Sequence, residues 1–155
     1  MKQICAVSDL HLFCKRSEAH RHTAALDRAI AEAEVCVLNG DIFDFRWSVF
    51  DSVEETVDEA LAWLDRIIAR HPHCDFHYIF GNHDSVKVFI DALDAYAART
   101  ERLTCHHDLF RLNAAVFLHG DVADRKMTPA EFEAARRVWH YDRQRGRIVN
   151  RAYDL

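Results

Sequence analysis

Four short stretches of the sequence carry side chains that can bind metal ions or transfer protons. They are Ser8-Asp9-Leu10-His11, Gly40-Asp41-Ile42-Phe43-Asp44, Gly81-Asn82-His83-Asp84 and His119-Gly120-Asp121. Their carboxylates, imidazoles and carboxamide, with no thiolate among them, suit Mn, Fe or Zn better than Ca or a purely structural zinc site. The chain also has eleven histidines and only four glycines, three of which lie beside these groups. Together the four stretches predict a metal site.

Each of these motifs is weak evidence by itself. Asp9-x-His11 alone is more typical of a turn carboxylate and a surface histidine than of a metal site, and Asn or Asp after Gly is common in turns. The placement of the set is more informative, because each motif follows a segment with the pattern of a strand. Side chains alternate along an extended chain, so Asp9 and His11 are expected on the same side. Asp41 has two carboxylate oxygens and is expected to bridge two cations.

The hydrophobic pattern predicts alternating strands and helices. Strands are predicted at residues 4–7, 35–38, 76–80, 103–106, 109–112 and 115–118, and helices at 18–33, from 52 to about 68, at 86–98 and from 128 onward. This order predicts an α/β fold with a parallel sheet, to which the closing short strands add a second sheet. In such folds ligands bind outside the carboxyl ends of the strands, which is where the four motifs lie.

The motif set resembles that of the calcineurin-like metallophosphoesterase superfamily. Two of the motifs are similar to those of the branch that contains UDP-diacylglucosamine hydrolases. They are Ser8-Asp9-Leu10-His11-Leu12 and Gly40-Asp41-Ile42-Phe43-Asp44. The resemblance implies a four-layer α/β/β/α sandwich that binds two divalent metal ions, with manganese expected first and iron or zinc as alternatives. The lipid-precursor hydrolases typically carry arginine at the position of His83, which favours a broader phosphoesterase function.

The resemblance also implies a role for each motif residue. One metal is expected to be held by Asp9, His11 and Asp41, and the other by Asp41, Asn82 and His119. His83 matches the catalytic histidine that stabilises or protonates the leaving oxygen. Asp84 is expected to orient His83, and Asp44 is expected to contact the metal ligands without binding the metal itself.

These roles predict hydrolysis of a phosphate ester or pyrophosphate by a hydroxide that bridges two cations. The expected substrate is a phosphate-bearing small molecule or lipid precursor. The sequence contains neither a Gly-x-Ser-x-Gly motif nor a Walker-type glycine loop, which agrees with a mechanism that needs no protein nucleophile. A net charge of −5 argues against nucleic acid as a partner. Two alternatives remain: a catalytically impaired metal- or phosphate-binding remnant, and a nuclease of the same superfamily.

The Gly-His-x-His motif that ends the family pattern is absent from the 155 residues. His106-His107 is not framed by glycine, and His140 is a single residue on a predicted helix. We predict a single domain over residues 1–155, with a core at 1–121 that holds the metal motifs. Residues 122–155 are predicted to form a helical cap-like segment that is incomplete at its C-terminus.

Charge distinguishes this last segment from the rest of the chain. Residues 121–155 hold eight Lys/Arg against six Asp/Glu, whereas residues 1–120 hold 12 against 19. A basic cap over an acidic cleft would suit a phosphate-bearing substrate, and a solvated helix face of mixed charge is the alternative.

Two further patterns predict less chemistry. Five cysteines without a C-x-x-C pair indicate small buried hydrophobic residues rather than disulfides or a zinc site. The group His71, His73, Cys74 and His77 lacks zinc-site spacing and is interpreted as a loop with one core-facing residue. No apolar run reaches the roughly 18 residues that span a membrane, and a secretory signal is not evident, so a cytoplasmic location is predicted.

Overall fold

A four-stranded parallel sheet forms the centre of the protein. The computed structural model describes residues 2–123, 126–146 and 149. The strands are β1 (Ile4–Val7), β2 (Val35–Asn39), β3 (Asp75–Ile79) and β4 (Leu103–His106), and their order in the sheet is their order in the chain. Adjacent parallel strands need a crossover connection, and each of the three connections contains a helix.

These crossover helices are α1 (Thr23–Ala31), α2 (Val53–Arg70) and α3 (Lys87–Ala97). The helix predicted from residue 18 begins instead at Thr23, after a short 3-10 turn at Ala19–His22. The hydroxyl of Thr23 donates to the carbonyl of His20 over 3.1 Å, a local bond that competes with α-helical geometry. The predicted start of α2 is confirmed, because the Ser52 hydroxyl accepts the Glu55 N–H over 3.0 Å.

The two faces of the sheet bury different layers. On one face, inward side chains such as Leu38 and Tyr78 pack against all three helices in the main core. On the other face, Val35, Val37 and Ile79 pack against a two-stranded antiparallel sheet of β5 (Leu109–Leu112) and β6 (Ala115–Leu118). Helices, parallel sheet and hairpin therefore form three successive layers, which confirms the predicted α/β fold.

One detail of the predicted second sheet is wrong. The short strand β4 belongs to the first sheet, where it pairs in parallel with β3 from Phe76↔Leu103 to Ile79↔His106. The crossover helix α3 returns the chain in the parallel sense, and Leu103 is buried in the main core. Among the described residues, the second sheet consists of β5 and β6.

The helix α4 (Pro129–His140) crosses the carboxyl end of the sheet. Its predicted start is confirmed by a complete capping box between Thr128 and Glu131. Beyond it, the backbone N–H of Arg145 donates to the carbonyl of Arg46 over 2.8 Å, so the chain returns over the loop that follows β2. The remainder of the predicted cap, residues 147–148 and 150–155, lies outside the described residues.

A buried arginine fixes α4 to three strand ends. Arg136, only 6% exposed, donates to both carboxylate oxygens of Asp121 over 3.1 and 3.2 Å. It also donates to the carbonyl of Phe80 over 2.7 Å and to that of His107. The guanidinium lies 4.7 Å above the ring of Phe132. Since these partners follow β6, β3 and β4, one side chain determines where the helix docks.

Most of the cysteines are core residues, as their pattern indicated. Cys36 and Cys74 are buried in the main core, and Cys5 and Cys105 pack against it. Among the described residues, no helix is long and apolar enough to cross a membrane.

We expect Arg136→Ala to lower the free energy of unfolding by about 3 kcal/mol, because it leaves Asp121 and two carbonyl groups without their buried donor. Arg137→Ala is the matched control: Arg137 pairs with Glu133 on the exposed face of the same helix, where a pair contributes under about 0.5 kcal/mol. Urea unfolding of both variants tests this, and equal losses of stability would contradict the docking role.

Candidate metal centre

The backbone after β1 and β2 adopts conformations that L-residues rarely use. Asp9, His11 and Asp41 have φ angles of 54°, 45° and 52°. Two hydrogen bonds join these turns: the N–H of Asp9 donates to the carbonyl of Gly40 over 3.1 Å, and the N–H of His11 donates to that of Asp41 over 2.9 Å. Left-handed non-glycine residues persist only where the surroundings enforce them. The first two motifs therefore form one interlocked unit.

Two glycines make room for the ligands of this unit. Gly40 has a φ of 82°, and a Cβ atom there would lie 2.5 Å from Cγ of His119. A Cβ atom on Gly81 would lie 2.5 Å from the backbone nitrogen of Asp41. Both distances are far below van der Waals contact, so the sequence needs glycine at these positions for the motifs to meet.

The carboxylate of Asp41 lies at the centre of the site. Its Oδ2 is 3.4 Å from Nε2 of His119 and 3.9 Å from Nε2 of His11, and its Oδ1 accepts the backbone N–H of His83 over 2.8 Å. Burial alone would raise the pKa of Asp41, but His119 and the His83 N–H outweigh it and lower the pKa. Asp41 is therefore an anion whose outer oxygen is shared between two imidazoles.

The far nitrogens of both imidazoles are held by neighbouring oxygens. Nδ1 of His119 lies 3.1 Å from the carbonyl oxygen of Asn39, and Nδ1 of His11 lies 3.4 Å from Oδ2 of Asp44. With the proton of the neutral imidazole on each Nδ1, Nε2 would be the nitrogen available to a metal ion that also binds Asp41. Metal-ligating histidines are typically fixed in this way by a carbonyl or carboxylate.

The donor set fits a divalent transition-metal ion. Ligand atoms of Asp9, His11 and Asp41 all lie within 4.8 Å of one another, and so do those of His11, Asp44 and His83. Carboxylate oxygen and imidazole nitrogen are suitable donors for Mn, Fe or Zn. In the second group, His11 was predicted as a ligand, whereas Asp44 and His83 were predicted to have other roles.

His83 lies at the edge of this donor set. Its Nδ1 is buried and 3.2 Å from Oδ2 of Asp44, without the alignment of a hydrogen bond. Its ring meets that of His11 edge-on, with 4.7 Å between the ring centroids. The ring also lines a cavity of about 590 Å³ that includes Asp9 and His11.

The expectation that Asp84 orients the ring of His83 is wrong. The Asp84 carboxylate is turned into the core, where it accepts the hydroxyl of Tyr78 over 2.6 Å and the N–H groups of Ile42 and Gly81 over 2.9 and 2.7 Å. Burial and the charge of Asp41 raise the pKa of Asp84 to about 6. Asp44 is the carboxylate beside His83.

The other predicted residues lie in two separate places. Asn82 is in the turn between Gly81 and His83, and it lines a cavity of about 580 Å³ under α4. His140 lines a different cavity with Phe80. Within the described part of the chain, His140 belongs to neither group of metal-binding side chains.

The histidines near residue 75 occupy separate environments. His71 lies 3.1 Å from a carboxylate oxygen of Asp27, and His73 lies 3.0 Å from the carbonyl of Ala31. His77 stacks on Phe110 with 3.9 Å between the ring centroids. His71 and Cys74 are both buried and His77 lies in β3, so the segment has two core-facing residues before the strand rather than the one that was predicted.

Two supporting residues were missed by sequence reasoning. Asn39, whose carbonyl holds His119, directly precedes the Gly40-Asp41 motif, and its amide donates to the carbonyl of Leu118 over 3.0 Å. Tyr78 lies on β3 and binds Asp84. A polar residue ending a buried strand was the available signal for Asn39, whereas Tyr78 is not distinguishable from an ordinary core aromatic residue.

Two comparisons with known proteins give the family and the fold of the chain. The family model for calcineurin-like phosphoesterases matches residues 2–149. The crystal structure of the Pseudomonas putida nuclease MPE is similar, with a TM-score of 0.50 and 21% identity over 73% of this chain and 52% of that chain. At that identity the likeness shows the fold, and the chain spans about half the length of that protein. No curated protein matches the chain.

We expect Gly40→Ala to lower the free energy of unfolding by about 2 kcal/mol and to weaken Mn²⁺ binding at least about tenfold, because the new Cβ displaces His119 and the residue must keep a positive φ. Gly120→Ala is the control, since a Cβ there meets nothing within 4 Å. Thermal unfolding and calorimetric Mn²⁺ titration test both variants. An unaltered Mn²⁺ affinity in Gly40→Ala would count against the site.

The increase in stability that metal produces should grow with pH. Burial would lower the pKa of His119, but Asp41 and the Asn39 carbonyl outweigh it and raise the pKa from 6.5 to about 9. In metal-free protein the His119–Asp41 contact therefore stabilises fully below pH 6.5 and is lost as the pH rises through about 9. Metal binding needs the neutral imidazole, so apparent affinity should rise with pH over the same range.

Thermal midpoints between about pH 6 and about pH 8.5, with EDTA and with Mn²⁺, measure both effects. We expect the EDTA midpoint to fall with pH and the Mn²⁺-induced increase to grow. His119→Gln should flatten both trends. A Mn²⁺-induced increase that does not change with pH would show that His119 does not compete with protons for the metal.

Proposed function

Because the chain belongs to the calcineurin-like phosphoesterase family, we propose that it hydrolyses a phosphate ester or pyrophosphate with the help of two divalent metal ions. The observation that carries this proposal is the position of Asp41 between two imidazoles, each held at its far nitrogen by an oxygen. A surface ion pair needs no such arrangement, whereas a metal centre does.

Asp9, His11 and Asp41 would hold one cation, and Asp41, Asn82 and His119 the other. Cations there would supply Lewis-acid neutralisation of the phosphoryl oxygens and activation of a water nucleophile. Manganese is the first candidate and iron or zinc are alternatives, because the donors are mixed nitrogen and oxygen.

We infer that His83 would transfer a proton to the leaving oxygen. Its ring lines the cavity beside Asp9 and His11, where a substrate would lie. Asp44 lies 3.2 Å behind it and stays anionic, because His11 and His83 outweigh the effect of burial and lower the pKa of Asp44. A carboxylate this close to one ring nitrogen restrains the orientation of the imidazole, so Asp44 would act as the positioning residue for His83.

Several substrate classes follow from this site. A phosphate-bearing small molecule or lipid precursor is the first candidate, and the UDP-diacylglucosamine hydrolase branch stays a prediction. The similar solved protein is named a nuclease, so single-stranded DNA belongs among the substrates tested. The acidity of the chain predicts that DNA is the poorer one.

We expect Asp41→Asn to lower Mn²⁺-dependent hydrolysis of bis(p-nitrophenyl) phosphate at least about 100-fold, since it removes the charge shared by both predicted metals. Asp91→Asn is the control, because Asp91 pairs with Lys87 on the surface of α3 and should retain full activity. Absence of Mn²⁺-dependent turnover in the wild-type chain, together with tight Mn²⁺ binding, would instead support the catalytically impaired alternative.

A further inference from the structure

The turn after β2 holds His83 from two sides. Oδ2 of Asp44 lies 3.2 Å from Nδ1 of His83, and the backbone N–H of Phe45 donates to the carbonyl of His83 over 3.2 Å. Asp44 is itself fixed within this turn, because its Oδ1 accepts the backbone N–H of Trp47 over 2.9 Å. The position of His83 therefore depends on how the turn is held. The proposed reaction assigns no role to the remaining residue of the turn, Arg46.

The side chain of Arg46 contacts the end of α4. Its Nε donates to Oδ2 of Asp142 over 2.5 Å, and its Nη2 lies 2.5 Å from the same oxygen. The guanidinium also lies 4.8 Å from the centroid of the Trp139 ring. The backbone takes part as well, because the carbonyl of Arg46 accepts the N–H of Arg145 over 2.8 Å. Arg46 therefore joins the turn after β2 to the C-terminal end of α4 and to the residues just beyond it.

The ion pair between Arg46 and Asp142 is mostly shielded from water. The two side chains are 24% and 20% exposed. The other carboxylate oxygen of Asp142 accepts the backbone N–H of Arg143 over 2.9 Å, so the carboxylate has a fixed orientation. Such a pair constrains its partners more than a surface pair does, because removing one member leaves a charge that water reaches poorly. The pair therefore determines how the turn and the end of α4 lie against each other.

We propose that Arg46 is a positioning residue for His83 in the phosphoesterase reaction, and that it acts through its ion pair with Asp142. The pair anchors the turn that carries Asp44 to α4, the helix that Arg136 docks onto the strand ends. Without this anchor the turn has more freedom, and Asp44 no longer holds the His83 ring in one orientation. This inference rests on the proposed function, because it concerns the proton that His83 would give to the leaving oxygen.

The dependence of the rate on the leaving group, measured at saturating Mn²⁺, tests the proposal. The p-nitrophenolate anion is stable and leaves with little help from an acid, whereas phenolate needs a proton as it leaves. For diphenyl phosphate we expect Arg46→Ala to lower kcat about tenfold with KM nearly unchanged, because the acid is misplaced. For bis(p-nitrophenyl) phosphate kcat should stay within about twofold of wild type. Equal losses with both esters would overturn the proposal, because a general loss of structure does not distinguish leaving groups.

Further variants separate the ion pair from other effects of the substitution. Asp142→Asn should reproduce the selective loss, and Arg46→Lys should restore part of kcat through its charge. The double variant of Arg46→Ala with Asp142→Asn should lose no more than either single variant, because both remove one interaction. Arg137→Ala, which removes the cation of an exposed pair with Glu133 on the same helix, should match wild type with both esters. Additive losses in the double variant, or a selective loss in Arg137→Ala, would contradict the proposal.

Amide hydrogen exchange separates this inference from the proposed function. In the metal-free full chain, we expect the N–H of Trp47, which donates to Asp44, to exchange about tenfold faster in Arg46→Ala. The N–H of Ile42, which donates to Asp84 in the core, should exchange as in wild type. Faster exchange at Trp47 without turnover of any ester in wild type would refute the phosphoesterase function alone. Unchanged exchange at Trp47, or an equal increase at both amides, would refute the anchoring role of Arg46.

Discussion

The carboxylate of Asp84 joins two strand ends from beneath. It is fully buried, and its three donors come from β3 itself, the turn after β2 and the turn after β3. A buried carboxylate without donors is strongly destabilising, so these turns are held in the one arrangement that satisfies it. In that arrangement the backbone N–H of His83 donates to the carboxylate of Asp41. The metal centre thus depends on a carboxylate that is not one of its ligands.

Periodicity predicted most of the elements because the strands are buried on both faces and the helices have clear apolar stripes. It could not predict which sheet the short strand β4 joins, since that depends on the crossover through α3. The convergence of Asp9 and His11 was predicted from alternation in an extended chain. Both residues are instead left-handed, and they meet because their turn is bonded to the Gly40-Asp41 turn. Spacing identified the motif, but backbone geometry set the direction of its side chains.

The same limit explains the exchange of roles between Asp44 and Asp84. Adjacency in the sequence favoured Asp84 as the partner of His83, whereas the turn sends neighbouring side chains in opposite directions.

The basic character of residues 121–155 was similarly ambiguous. Arg136 forms a buried ion pair with Asp121, and Arg137 forms an ion pair with Glu133 on the surface.

The agreement between sheet order and chain order has a consequence for assembly. Each strand pairs with the one before it, so the sheet can grow at one edge as the chain leaves the ribosome. Asp9 and His11 arrive with the first strand and Asp41 with the second, whereas His119 arrives only after the hairpin has covered the opposite face. Until then Asp41 lies beside one imidazole. The centre is therefore complete only once β6, the last strand in chain order among the described residues, has paired in the second sheet.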